Sequence, residues 1–104
     1  MAAAPPFVSY SSMSEAIVSS TDWPFLYASL QAFKAHVQEY PGCQRTEAFA
    51  ALQDDGSMRI HCYTTWDTPE QLDVYLEYGY TFERLLGDVG LPSQARTLLM
   101  EKLF

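Results

Sequence analysis

The order strand, helix, strand, hairpin, strand, helix, strand predicts an α+β domain, a ferredoxin-like split βαβ unit with its helices on one face of an antiparallel sheet. Three observations carry that reading. Trp23, Leu26, Leu30, Phe33, Val37 and Tyr40 recur at spacings of three and four, the stripe of an amphipathic helix. Met58 to Trp66 alternates β-branched, aromatic and polar residues, as a half-buried strand does. A second helical stripe, Leu72, Tyr75, Leu76, Gly79, Phe82 and Leu86, follows that strand at once.

Each element has its own signals. Residues 1 to 11 are rich in Ala, Pro and Ser and predict a flexible N-terminal arm in which Phe7, Val8 and Tyr10 pack locally, with the domain spanning 12–104. Glu15 to Ser19 predicts a short strand. Ser20-Thr21-Asp22 supplies N-cap residues ahead of the first helix, and Pro41-Gly42 stops it. Thr46 to Gln53 predicts the next strand. Asp54-Asp55-Gly56-Ser57 then signals a hairpin. A two-residue type I′ turn at Asp55-Gly56 would pair Gln53 with Met58. That register puts Phe49 and Ala51 with Ile60, Cys62 and Thr64 on one face. Ala48, Ala50 and Leu52 then join Arg59, His61, Tyr63 and Thr65 on the other, and a slip of one residue exchanges the faces.

The strand ends at Trp66, and Thr68-Pro69-Glu70-Gln71 opens the second helix as a Thr-x-x-Gln capping box with Pro at its first position. The helical pattern runs to about Leu86. Gly79 inside it either allows close backbone approach or divides the helix in two. Arg96 to Phe104 predicts the last strand.

Composition narrows the function. At 104 residues the chain is one domain with a modest core. A net charge of −7 with scattered basic residues argues against nucleic acid or an anionic membrane as partner. Two Trp, seven Tyr and six Phe suit a surface that is apolar yet hydrogen-bonding, such as a ligand pocket or subunit interface. Cys43 and Cys62 lack CxxC spacing and read as reduced thiols of a cytoplasmic protein. Met1-Ala-Ala-Ala-Pro-Pro has neither the charged nor the apolar region of a signal peptide. Two separated His and no HxH or HExxH predict no metal site, and no Gly-rich phosphate loop is present, so no cofactor is expected. Both sheet faces are too apolar for one to stay wet, which predicts a homodimer.

Pro41-Gly42-Cys43, the strand–hairpin–strand, Trp66-Asp67-Thr68 running into Glu70-Gln71-Leu72, and Phe82 together resemble the antibiotic biosynthesis monooxygenase domain of the dimeric α/β-barrel superfamily. The likeness covers roughly residues 13–104 and rests on the order and spacing of short motifs. It implies a dimer whose two sheets form a barrel, with a pocket in each subunit between sheet and helices. Family members include cofactor-independent monooxygenases of polycyclic aromatic polyketides and haem-degrading proteins; superfamily relatives are cyclases and isomerases. The haem-degrading branch carries a ligating His near the end of the second helix. Here that stretch reads Glu83-Arg84-Leu85-Leu86, which disfavours haem.

The candidate catalytic residues are Trp66, His61 and Glu83. Trp66 matches the family's pocket Trp; the alternative is a core Trp bridging sheet and helix. His61 is a general base or one half of a hydrogen-bonded pair with Tyr63 inside the barrel. Because Trp66 falls on the Cys62 face, the two share a pocket only if a bulge changes parity near Thr64–Trp66. Glu83 lies on the buried side of an unbroken helix, and is solvated if Gly79 resets it. Tyr63, Tyr75, Phe82 and Phe33 are candidate substrate walls. Arg84 pairs with Glu77 or Glu70 of the acidic stripe, or, as the resemblance implies, holds a substrate oxyanion. His36 flanks the first helical stripe. The resulting expectation is a cofactor-free monooxygenase acting on an aromatic, polyketide-like molecule, with a cyclase or isomerase, or a non-catalytic ligand-binding dimer, as alternatives.

Overall fold

The computed structural model describes residues 9–91 and 96–103. In chain order it has β1 (Tyr10–Val18), α1 (Trp23–Gln38), β2 (Cys43–Leu52), β3 (Met58–Trp66), α2 (Pro69–Tyr78), α3 (Phe82–Asp88) and β4 (Arg96–Glu101). The expected arm at Met1 to Val8, and Phe104, lie outside the described residues. β1 begins at Tyr10, well before the short strand expected at Glu15.

The four strands lie in the order β2-β3-β1-β4, and every pair is antiparallel. β1 and β2 are thus parallel with β3 between them, joined through α1, which is the split βαβ of a ferredoxin-like α+β fold. All helices pack on one sheet face. Ala16 and Val18 of β1 and Ile60, Cys62 and Trp66 of β3 form one buried cluster with Leu26, Phe33 and Val37 of α1 and with Leu72, Tyr75, Phe82, Leu85 and Leu86. The whole predicted α1 stripe is buried or packed against this cluster.

The hairpin departs from the expected register. Leu52, not Gln53, pairs with Met58, so Phe49 pairs with His61 and Ala48 with Cys62. The cause is the turn. A type I′ turn needs positive φ at both central residues, but Gly56 alone has it here, at 87°, and no non-glycine residue does. The loop is therefore three residues, Asp54-Asp55-Gly56, closed by Gly56 N–H donating to Gln53 C=O (3.0 Å) and Gln53 N–H donating to Ser57 C=O (2.8 Å). The Asp55 carboxylate accepts from the Ser57 hydroxyl (2.6 Å) and N–H (2.9 Å), which lowers its pKa. One extra loop residue moves Phe49 and Ala51 to the His61 face and Ala48, Ala50 and Leu52 to the Cys62 face.

Gly79 divides the second helical pattern, and it also allows close approach. It caps α2, its N–H donating to Tyr75 C=O at 2.7 Å. A Cβ there would lie 2.5 Å from the Tyr75 ring and 2.6 Å from its carbonyl. α3 restarts with Thr81 as N-cap, its hydroxyl accepting from Arg84 N–H at 3.3 Å. The Arg84 guanidinium donates back to Gly79 C=O and to Glu77 C=O (2.8 Å), pairing carbonyls that the end of α2 leaves without helical partners.

Candidate active site: two clefts flanking α1

α1 sets its buried stripe against the sheet and leaves a cleft along each flank. The first lies between α1 and the β2–β3 half of the sheet and measures about 360 Å³. Tyr27, Leu30, Gln31 and Lys34 form its helical wall, at the i, i+3, i+4, i+7 spacing of one flank, and Thr46, Ala48 and Cys62 line the sheet side. The second, about 410 Å³, lies between α1 and α3 and is lined by Ala32, His36, Tyr80, Leu85 and Val89.

Phe33 lines both clefts and is only 3 % exposed, so its ring is the partition between them. Tyr80 and Phe82 hold it in place, with ring centroids 6.2 and 6.1 Å away. In the second cleft the His36 imidazole sits edge-on between Tyr40 and Tyr80, 5.7 Å from each ring. The Tyr80 hydroxyl donates to the Asp88 carboxylate at 2.6 Å, and this bond holds the phenol's pKa up to about 12. Tyr80 therefore stays protonated at neutral pH, and His36 is the imidazole of this cleft.

The three residues read as catalytic are not brought together. Trp66 is fully buried and stacks on Tyr75 at 4.8 Å with 30° between the planes. Its indole N–H donates to the Thr64 hydroxyl at 2.9 Å, and Thr64 shares a second buried hydrogen bond with Ser12 at 2.5 Å. One ring face and the indole N–H are thus engaged inside the core. Trp66 also forms the floor of a third, smaller cleft of about 190 Å³.

His61 lies on the opposite sheet face, since β3 runs against β1 without a register shift from Met58 to Trp66. Its Nε2 is buried without a hydrogen-bond partner, 3.8 Å from a Glu15 oxygen that Arg59 engages at 3.2 Å. Tyr63 shares that face, 6.4 Å from His61 and 5.8 Å from Phe49. Glu83 is exposed on α3, because the break at Gly79 rotates it away from the buried side predicted for an unbroken helix. Arg84 is engaged by the α2 carbonyls and not by the acidic stripe.

Of the predicted walls, Phe33, Phe82 and His36 meet at or beside the second cleft. Tyr75 is a core residue: its hydroxyl donates to Tyr80 C=O at 2.9 Å, and burial raises its pKa. The cleft residues not anticipated are Tyr27, Gln31, Lys34 and Tyr80. The first three share a flank periodicity that could have found them; Tyr80 depends on the helix break.

Both cysteines are free, and burial pushes the Cys62 thiol up to about 12, so it remains protonated at neutral pH. Among the described residues, no three His, Cys, Asp or Glu side chains converge as a metal-ligand set, and no helix is long and apolar enough to cross a membrane.

No protein-family model matches the chain, and no curated protein is recognisably similar in sequence. Solved structures share its fold. One is a "putative antibiotic biosynthesis monooxygenase" from Nitrosomonas europaea, 13 % identical, with a TM-score of 0.73 over 98 % of this chain and 97 % of that one. A conserved protein from Methanosarcina mazei is 10 % identical, with a TM-score of 0.72 over 93 % and 95 %. A heme-degrading protein from Mycobacterium tuberculosis is 14 % identical, with a TM-score of 0.67 over 92 % of each chain. The chain therefore has the fold of the antibiotic biosynthesis monooxygenases.

Proposed function

We propose that this chain is a cofactor-independent monooxygenase of an aromatic, polyketide-like small molecule, bound along the α1 clefts, with His36 as the base. The observation that carries the proposal is the pair of aromatic-walled clefts meeting at Phe33, with an imidazole set among tyrosine rings. Names given to proteins of the same fold point the same way.

The reaction needs a substrate acidic enough to lose a C–H or O–H proton and electron-rich enough to reduce O₂ as its anion. With an anthrone, the base takes a C10 proton and the carbanion passes an electron to O₂. The radical pair then joins as a C10 peroxide. Loss of the second C10 proton, with cleavage of the O–O bond, gives the quinone and one water. One oxygen atom enters the product, and the other leaves as water. The apolar walls of Phe33, Leu85 and Val89 exclude water from the anion. The Lys34 ammonium is a donor on the first cleft.

We further infer a homodimer formed sheet to sheet, the α/β barrel of this superfamily, in the cytoplasm. Its interface would be the helix-free face, where Ile17, Phe49 and Leu98 stand 52 %, 58 % and 42 % exposed. The test of activity is O₂ uptake with anthrone in an oxygen electrode. One O₂ consumed per quinone formed supports the oxygenase. Product without O₂ uptake means a cyclase or isomerase, and binding without turnover means a ligand-binding protein; either outcome ends the proposal.

A further inference from the structure

Among the described residues, Phe33 alone lines both clefts beside α1. It belongs to the buried stripe of that helix, so its ring fills the space beneath α1 from one cleft to the other. The surroundings hold it there. The Tyr80 and Phe82 rings stand 6.2 and 6.1 Å away, inclined at 55° and 62° to it. Phe82 is buried in turn. Tyr80 is tethered twice, its C=O accepting from the Tyr75 hydroxyl at 2.9 Å and its own hydroxyl donating to Asp88 at 2.6 Å. A ring packed on every side has no vacant space to rotate into.

This fixed partition limits what the clefts can hold. Ligand pockets run from about 300 to 1,000 Å³. At about 360 and 410 Å³ each cleft stands near the bottom of that range, and only removal of the Phe33 ring would make the two continuous. A fused aromatic body is flat and rigid, so it cannot bend around the ring to use both.

We infer that Phe33 is the specificity-determining residue of the site and sets the length of aromatic ligand that it buries. The ligand lies in the cleft of His36 with the Phe33 ring as its end wall. Its buried part is about three fused rings, as suits a cleft of that size. Further rings stay in water and add no affinity. The inference rests on the reading of these clefts as an aromatic-ligand site and names what that site selects, a compact polycycle.

The test is titration of the full chain with dihydroxyanthraquinone, which has three fused rings, and dihydroxynaphthacenequinone, which has four, followed by the visible absorption of each. The native chain should bind the four-ring compound no more tightly than the three-ring one. Phe33→Ala should open the partition and favour the four-ring compound by about tenfold or more, as burial of one further ring does. Phe33→Leu, which keeps more of the core filled, should show a smaller gain of the same sign and carries the test if Phe33→Ala does not fold. Leu26→Ala is the control, because Leu26 is fully buried on the same stripe and lines neither cleft. It should lower Tm and keep the native ratio. A native chain that already favours the four-ring compound several-fold would overturn the inference. So would a native ratio in the folded Phe33 variants, or a shift that Leu26→Ala shares. Binding of neither compound by the native chain would end the aromatic-ligand reading, and the inference with it. A shifted ratio in a chain without O₂ uptake would uphold Phe33 as the partition and end only the oxygenase reading.

Discussion

The two faces of the sheet are built from alternate residues of the same strands, yet they are opposite surfaces. Ile60, Cys62, Thr64 and Trp66 of β3 are buried under the helices, whereas Arg59 is exposed and His61 and Tyr63 are half-buried. On the covered face even the polar groups are sealed and paired: Trp66 to Thr64, and Thr64 to Ser12. On the open face Glu15 is shared between Arg59 and His61 within reach of solvent, beside exposed Ile17 and Phe49. The contrast teaches that a polar aromatic on a strand has no fixed role. A single residue of parity decides whether it joins the core or the open face.

The sharpest way to break the comparison is to cut into the covered face. Trp66→Ala removes the stacked ring and leaves Thr64 without its indole donor, so it should cost about 3–5 kcal/mol in urea unfolding. Trp66→Phe should cost about 2 kcal/mol and leave turnover per folded molecule nearly intact. Lost turnover in a stable Phe variant would show that Trp66 meets the substrate.

Alkaline pH probes the same face more gently. In the folded chain burial holds Cys62 protonated up to about pH 12, whereas an unfolded thiol ionises near the ordinary value of 9.0. Between those values the unfolded state binds fewer protons, so stability falls as pH rises, by about 1.4 kcal/mol per pH unit. Buried Tyr75 adds a loss of the same sign above its own ordinary value of 10.0. Chemical denaturation at pH 9 and 10.5 should show the decline, and Cys62→Ala should remove its first part.

At the margin of the covered face, Arg84→Met would free the Gly79 and Glu77 carbonyls and should cost about 1 kcal/mol. Hydrogen exchange would then rise first at the α2–α3 junction. On the open face Ile17→Glu should change the stability of the subunit by less than about 1 kcal/mol. In sedimentation at micromolar concentration it should nonetheless convert the proposed dimer to monomer; a wild-type chain already monomeric there would remove the barrel.

The sequence announces the fold because the α1 stripe and the β3 alternation are long, strongly periodic signals, and both elements form where they are expected. The faces of the hairpin are harder to read. Asp-Gly permits a two-residue or a three-residue loop, and only the positive φ confined to Gly56 settles which forms. The site is harder still. Glu83 loses its expected position to the Gly79 break, and Arg84 is drawn to backbone carbonyls that only the break exposes. The Gln71 amide leaves its capping position for the space over Gly42, a contact between residues far apart in the chain. His36 stands out only once α3 has closed the second cleft over its helix.

The two histidines sit on opposite sides of this comparison, and replacing each tests it most directly. The decisive measurement is O₂ uptake with anthrone by His36→Ala and His61→Ala, side by side with the native chain, at concentrations where all three sediment alike. The cleft on the covered face predicts turnover reduced about 10²-fold or more in His36→Ala, as loss of a general base does, and near-native turnover in His61→Ala. Native turnover in His36→Ala together with its loss in His61→Ala would place the chemistry on the open face and contradict the account.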